Sequence, residues 1–497
     1  MTINPTDVEA RPSLPGKGLA SDSIGLLSMV SLGLASVAPA YSITVTLGLV
    51  VLSVGHLAPA ALLIGFVPIL CTAYAFRELN RVMPDCGTNF VWITRSFGPW
   101  LGWIFGNWIP QVATVIAMTA LAQVGAINLL SFLGLSGLAG QTLPVTCLGA
   151  ALIGLVTAVG YRGVQLSAAV QTAMVALQLA ALIGFGVAAV ARHGASAPSP
   201  AWLNPFGFHG SGPFAESVLL CLFIYWGWDA ALTVNEESRD RTRAPGRAAV
   251  ISTLVLLSTY LFTAVAALSF AGTGARDLGL GNPHNAADVL ATLAPAALGG
   301  PLAKVVQLAV TLSAVAALLT CIVSTARPNV SVAVHGALPK AFARVHPRFR
   351  TPTVATVFTG VVSVALLAGL SYAAPSFLSD AVLSIGLLVC AYYGATAFAC
   401  VWHFRGELRA SARALVFQGV LPFAGGLMML AAFARSAVDM IQPGYGSTSI
   451  DGVGGVFLLG VGSIVLGLLI TTVIRLLFPD FFRHGRRTVT DLIVTED

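Results

Sequence analysis

The sequence predicts an all-α polytopic membrane protein of about twelve transmembrane helices, and three observations carry that prediction. Of its 497 residues, 56% are hydrophobic and 9% charged, where soluble domains carry about 25% charged residues. The mean hydropathy is +0.86. The apolar residues also gather into runs of about 20, the length at which a helix crosses the hydrocarbon core of a bilayer.

Taken in order, these runs cover residues 23–53, 57–78, 88–125, 141–160, 167–191, 213–236, 247–271, 300–333, 352–371, 377–403, 412–434 and 453–478. Their even number places both termini on one side. The first twenty residues are polar, contain Pro12, Pro15, Gly16 and Gly18, and show no apolar segment ending in a small-residue cleavage site. No cleavable signal peptide is expected, so the first span directs insertion. A cytoplasmic N-terminus leaves only Arg192, Arg276, Lys304 and Arg435 of the lysines and arginines outside. That distribution satisfies the positive-inside rule at nearly every loop and predicts a multi-pass protein of the cell membrane with both termini cytoplasmic. The basic clusters read as topology signals and headgroup contacts of the lipid bilayer. They give no support to a nucleic-acid partner. The seven cysteines show no C-x-x-C spacing and mostly lie inside apolar runs, so they read as small core residues.

Two of the spans are interrupted. In the first, Ala35-Ser36-Val37-Ala38-Pro39 places a proline, which lacks a helix donor, among small neighbours that leave backbone accessible. In the sixth, Trp226-Gly227-Trp228-Asp229 places a helix-weakening glycine before a carboxylate. Interrupted segments at matching positions of two five-helix halves point to a secondary transporter built from inverted repeats. The organisation expected is a cytoplasmic tail (1–22), a first five-helix repeat (23–192), an extracellular linker (193–212), a second, inverted repeat (213–404), two further helices (405–478) and a cytoplasmic tail (479–497).

The break in the first span frees backbone N–H groups where the helix dipole favours an anion. The break in the sixth frees carbonyls that can accept from an ammonium. Together they fit a zwitterion, with Phe223, Trp226 and Trp228 left to select its side chain. An ionisable group at bilayer depth costs a few kcal/mol unless it faces a polar cavity. Asp229 therefore pairs with a substrate ammonium, carries a coupling proton, or accepts from freed backbone N–H groups. Glu236 and Glu237, close to Arg239, Arg241 and Arg243, read as surface ion pairs or an inside gate. Asn107, Gln111 and Gln123 fall on roughly one helix face, which lines a cavity or bonds a neighbouring helix. No H-E-x-x-H, close His/Asp pair or P-loop is present, so neither a metal site, a catalytic triad nor ATP-driven pumping has support, and no cofactor is expected.

Three passages resemble the amino acid–polyamine–organocation permeases. They are Asn80-Arg81-Val82-Met83-Pro84-Asp85-Cys86-Gly87-Thr88-Asn89-Phe90-Val91-Trp92 running into Phe97-Gly98-Pro99-Trp100-Leu101-Gly102, the Trp-Gly-Trp-Asp stretch followed by Asn235-Glu236-Glu237 and Pro245, and Gly336-Ala337-Leu338-Pro339-Lys340 through Thr351-Pro352. The resemblance implies a five-plus-five inverted repeat shared with sodium-coupled amino acid transporters, two additional helices, and a substrate site between helices one, three, six and eight. By motif, Phe223 matches the aromatic that caps the bound substrate, and Asp229 falls where members carry an acidic or amide residue. Two positions depart from the family. The usual Gly-Ser/Thr-Gly of helix one is replaced by Gly33, Ala35, Ser36 and Pro39, and Gln178 stands where proton-coupled members and exchangers often place a lysine. The expected activity is alternating-access transport of an amino acid or closely related amine, coupled to H+, with Na+ or exchange as alternatives. A polyamine or organic-cation carrier is the second reading. A membrane enzyme lacks a nucleophile or metal cluster, and a non-transporting sensor lacks a signalling domain.

Overall fold

A computed structural model describes residues 17–192, 196–286, 288–373 and 375–492. It is almost wholly helical. Among the described residues, eleven runs are long and apolar enough to cross a membrane, and the first of them, Leu26–Val82, is 57 residues long. At 1.5 Å per residue that run is far longer than one crossing of about 30 Å. It holds two of the expected spans, joined by a tight 3-10 turn at Gly55–Leu57, and the expected twelve are thereby accounted for.

The first span is α1 (Leu26–Val37) and α2 (Pro39–Val54), separated by Ala38, which adopts a left-handed conformation with φ +53°. Pro39 opens α2, where a proline's missing N–H leaves no helical bond unmade. The second span is α3 (Ala58–Val82). A short α4 (Asn89–Phe97) then leads through Gly98 into α5 (Pro99–Phe132), which contains a π-helical turn at Ile104–Trp108. Two lipid-facing spans, α6 (Thr142–Arg162) and α7 (Val164–Ala191), complete the first half.

The sixth span repeats the interruption of the first. α8 (Ser211–Tyr225) stops at Trp226, and a single helical turn, α9 (Ala230–Thr233), resumes after Asp229. There follow α10 (Ala244–Ala271), a short external α11 (Val289–Leu298), the 35-residue α12 (Gly300–Val334), α13 (Thr353–Ala373), α14 (Pro375–His403), α15 (Ala412–Met440) and α16 (Gly455–Leu477). α12 packs along α5, α10 along α3, and α14 along α15. Burial in the most hydropathic window is highest for α12 and for the Asp380–His403 stretch of α14 and lowest for α16. The first two are central and the last is a peripheral, lipid-facing helix.

Parts of both terminal segments pack against the spans where they are described. Residues 18–24 are bound to the core, with Ile24 paired to Ser238 as an isolated parallel bridge. Pro479–Leu492 forms a helix, α17, whose Phe481 stacks on Phe90 at 5.5 Å and whose Phe482 meets Trp100 edge-on. Its charged and aromatic residues alternate at helical spacing, too polar to register as a span. Residues 1–16 and 493–497 lie outside the described chain, as do 193–195 of the linker. All seven cysteines are free, and six are buried.

Candidate functional site

The two interruptions meet. Gly227 has φ +117°, and a Cβ placed there would lie 3.0 Å from both the carbonyl oxygen and Oγ of Ser36. Only a residue without a side chain lets the backbones approach so closely in this conformation. Around the meeting point lies a cavity of about 90 Å³, several times the roughly 10–15 Å³ needed for one water. Ser36, Val37, Ala38 and Tyr41 line it from the first span, with Phe223, Trp226, Gly227 and Asp229 from the sixth. α5 contributes Gly106 and Gln111, α12 contributes Ser324 and Pro328, and α14 contributes Tyr392. Pro328 lacks an N–H, so the carbonyl four residues earlier, on Ser324, loses its helical partner.

The Asp229 carboxylate is held by two neutral hydroxyls. Tyr393 Oη donates to Oδ1 at 2.9 Å and Tyr392 Oη to Oδ2 at 3.2 Å, while Trp226 Nε1 donates to Tyr392 Oη at 2.5 Å. No Lys, Arg or His lines the cavity. Among the described residues that line the cavity, Asp229 is the one carboxylate. Behind Asp229, Trp228 is fully buried and packs on Phe76 at 5.0 Å and on Tyr393 at 5.2 Å.

The N-terminus of α2 is less free to bind an anion than the proline break suggests. Pro39 has no N–H, Tyr41 N–H donates to Ser313 Oγ at 3.2 Å, and Ser42 N–H returns to the Ala38 carbonyl at 2.8 Å. At the C-terminal end of α1, just before the break, Val37 O accepts from Ser42 Oγ at 2.5 Å.

The residues singled out in the sequence divide between the cavity and its support. Ser36, Val37, Ala38, Phe223, Trp226, Gly227 and Asp229 line the cavity; Gly33, Ala35, Pro39, Asn107, Trp228 and Gln178 do not. Gly33 lets α1 approach Ser252 of α10 and the Trp228 carbonyl. Ala35 is fully buried. Asn107 sits buried in the π turn of α5, whereas Gln111, one turn on, lines the cavity and donates to Asn329 Oδ1 at 3.3 Å. Gln178 is fully buried with neither amide atom hydrogen-bonded, on the same α7 face as Gln171, which donates to Thr320.

The sequence predicts α14 as a span but does not place it at the site. Tyr392 and Tyr393 hold Asp229, and the visible signal was a pair of phenols in the middle of an apolar run. The surface pairing foreseen for Glu236 and Glu237 is also corrected, since both are buried. Glu236 binds Lys17 at 2.6 Å, and Glu237 takes Arg327 through two contacts of 2.5 and 3.1 Å. The partners come from distant parts of the chain, which sequence proximity to Arg239 could not reveal.

Two broken membrane helices meeting across a central cavity that holds a carboxylate define a multi-pass membrane transporter architecture. A family model described as amino acid permease matches residues 24–473, and the chain belongs to that family. It is 29% identical over 354 residues to an uncharacterized transporter of Mycobacterium tuberculosis, covering 69% of this chain and 71% of the relative. It is 26% identical over 325 residues to a methylthioribose transporter of Bacillus subtilis, covering 62% and 67%. With a low-affinity putrescine importer of Escherichia coli it shares 24% identity over 372 residues, covering 73% and 76%. The protein is a transporter of the permease type.

Proposed function

We propose that this transporter carries an amino acid or a closely related amine across the cell membrane by alternating access, with both termini cytoplasmic. The reading rests above all on one observation: Gly227 brings the sixth-span break against Ser36 of the first, at a cavity where Asp229 is the one carboxylate among the described lining residues. Ser36, Val37, Ala38, Phe223, Trp226, Gly227 and Asp229 then contact the substrate, with Gln111 and Tyr392 beside them. The substrate's ammonium sits at Asp229 and at the carbonyls exposed by the breaks and by Pro328. Gly33, Ala35, Pro39, Asn107 and Trp228 hold those groups in place. The halves 23–192 and 213–404 act as the inverted repeats that rock about this site.

Uptake is coupled to protons through Asp229, because Gln178 has no titrating proton to offer. A carboxylate held by two phenols in a cavity without cations can exchange a proton as substrate binds. Two specific features favour the second reading, an organic cation without a carboxylate. The cavity has no basic lining residue, and the N–H groups at the start of α2 are largely engaged. The putrescine importer among the relatives is in keeping with it.

Counterflow in proteoliposomes tests both. Amino acids and the amines obtained by removing their carboxylates form matched pairs, and exchange of the first set supports the main reading. Exchange of the amines alone supports the second. Exchange of neither refutes transport of this substrate class.

A further inference from the structure

Beneath the cavity lies a cluster of buried charge that the substrate site does not use. The backbone from Gly18 to Ile24 is strapped across it, with Ser23 N–H and Ile24 N–H donating to the Glu237 carbonyl at 2.9 and 3.1 Å and Arg239 N–H donating to Ile24 O at 3.1 Å. From the start of this strap Lys17 turns inward. Its Nζ lies 2.7 Å from Asp85 Oδ2, 2.6 Å from Glu236 Oε1 and 3.6 Å from Cys86 Sγ, with only 10% of the side chain exposed.

The pocket that receives Lys17 is built on three segments. Asp85 Oδ1 accepts from Gly87 N–H at 2.7 Å and from Ser331 Oγ at 2.6 Å, and Glu236 Oε1 accepts from Cys86 N–H at 2.9 Å. His335, also buried, turns Nε2 towards Asp85 at 4.0 Å with no hydrogen-bond partner. The ligand atoms of Asp85, Cys86 and Glu236 lie within 4.8 Å of one another. Two carboxylates so close cannot both remain ionised without a cation between them. The same segments continue directly into the cavity wall, at Thr88 and Asn89, at Thr233, and at Thr325 and Pro328. The charged pocket and the cavity wall are thus built on the same three segments.

We propose that Asp85 and Glu236 form a primary-ammonium site that the chain fills with its own Lys17, and that withdrawal of this tethered cation opens the cavity to the face on which the strap lies. The inference concerns closure rather than substrate, and it rests on the alternating-access reading only for its place in the cycle. Burial alone would lower the Lys17 pKa, but the carboxylates of Asp85 and Glu236 outweigh it and hold the pKa above the ordinary lysine value. A raised lysine pKa keeps its contribution whole below the unfolded value of about 10.4 and loses it only above. The latch is thus charged throughout the neutral range. Burial, reinforced by Glu236, raises the pKa of the Cys86 thiol, and Lys17 offsets this only in part, so the thiol is unreactive while the site is closed.

Cys86 is therefore a native reporter. In full-length protein reconstituted in liposomes, with the exposed Cys147 replaced by serine, N-ethylmaleimide labelling of Cys86 is followed by peptide mass spectrometry. Lys17→Met is expected to accelerate labelling by about tenfold or more, corresponding to about 1.4 kcal/mol in the closed–open balance. Lys17→Arg, which keeps the charge, should restore slow labelling in large part. Methylammonium chloride should slow labelling in Lys17→Met while leaving the parent unchanged. Should Lys17→Met fail to reach the membrane, Lys17→Gln, similar in length and polar, carries the same comparison. A parental labelling rate in the neutral variants overturns the latch, and labelling of the variant that ignores methylammonium overturns the ammonium site. Since labelling needs no flux, failure here leaves the transport reading standing, and failure of counterflow leaves this one standing.

Discussion

Gly227→Ala is the substitution that presses hardest on the site. At φ +117° a residue with a Cβ pays a backbone penalty of about 1–3 kcal/mol. The new methyl group would also sit 3.0 Å from the Ser36 carbonyl oxygen and 3.1 Å from its carbonyl carbon, so the two breaks must separate by a few tenths of an ångström or the turn must change shape. Either response moves Trp226 and Asp229 relative to Ser36. Since about 1.4 kcal/mol corresponds to a factor of ten, uptake into proteoliposomes should fall by about fivefold to a hundredfold at equal amounts of folded protein. Gly154→Ala is the matched control: it lies on a lipid-facing helix with open space around the added carbon and should transport normally. Parental uptake rate and apparent affinity in Gly227→Ala would refute the claim that close contact between the breaks builds the site.

Three further outcomes follow from other contacts. Asp229→Asn should lower uptake severely and flatten its pH dependence, and unchanged uptake at acid and neutral pH would remove Asp229 from coupling. Tyr393→Phe deletes the 2.9 Å hydrogen bond to Asp229; with about 1–3 kcal/mol at stake for a buried acceptor left short of a donor, apparent substrate affinity should change by about fivefold or more in binding measurements, with the melting temperature altered little. Arg327→Met strands Glu237 in the interior and should destabilise the protein by about 3–5 kcal/mol, read as a lower melting temperature in detergent, while Arg327→Met combined with Glu237→Leu should recover most of the loss.

The fold was legible because the bilayer imposes a length rule that composition alone can satisfy. Even the joined first pair resolves, since Gly55 and His56 interrupt an otherwise continuous apolar stretch. The breaks were legible for a related reason: proline at 39 and glycine at 227 alter backbone geometry locally, so their effect is written where they stand. The partners of Asp229 were not, because Tyr392 and Tyr393 meet it only through the packing of α14 against the sixth span. Lys17 was hidden in the same way. A lone lysine in a polar stretch looks like solvent-exposed chain until Asp85 and Glu236, far along the sequence, are placed around it. The amphipathic helix from Pro479 is too short and too polar to stand out as an apolar run, although its aromatic pair at Phe481 and Phe482 faces the core.

That last helix has a consequence for the order in which the protein is made. Phe481 stacks on Phe90, Phe482 meets Trp100, and Arg486 donates to the Ser96 carbonyl at 3.3 Å. The corner between α4 and α5 thus leaves the ribosome early but is completed only by residues translated after every membrane span. During synthesis its aromatic surface stands uncovered while hundreds of residues are still being added, an interval in which a chaperone or the insertion machinery would find it. A chain stopped before Pro479 would keep all its crossings and still lack the piece that seals this corner.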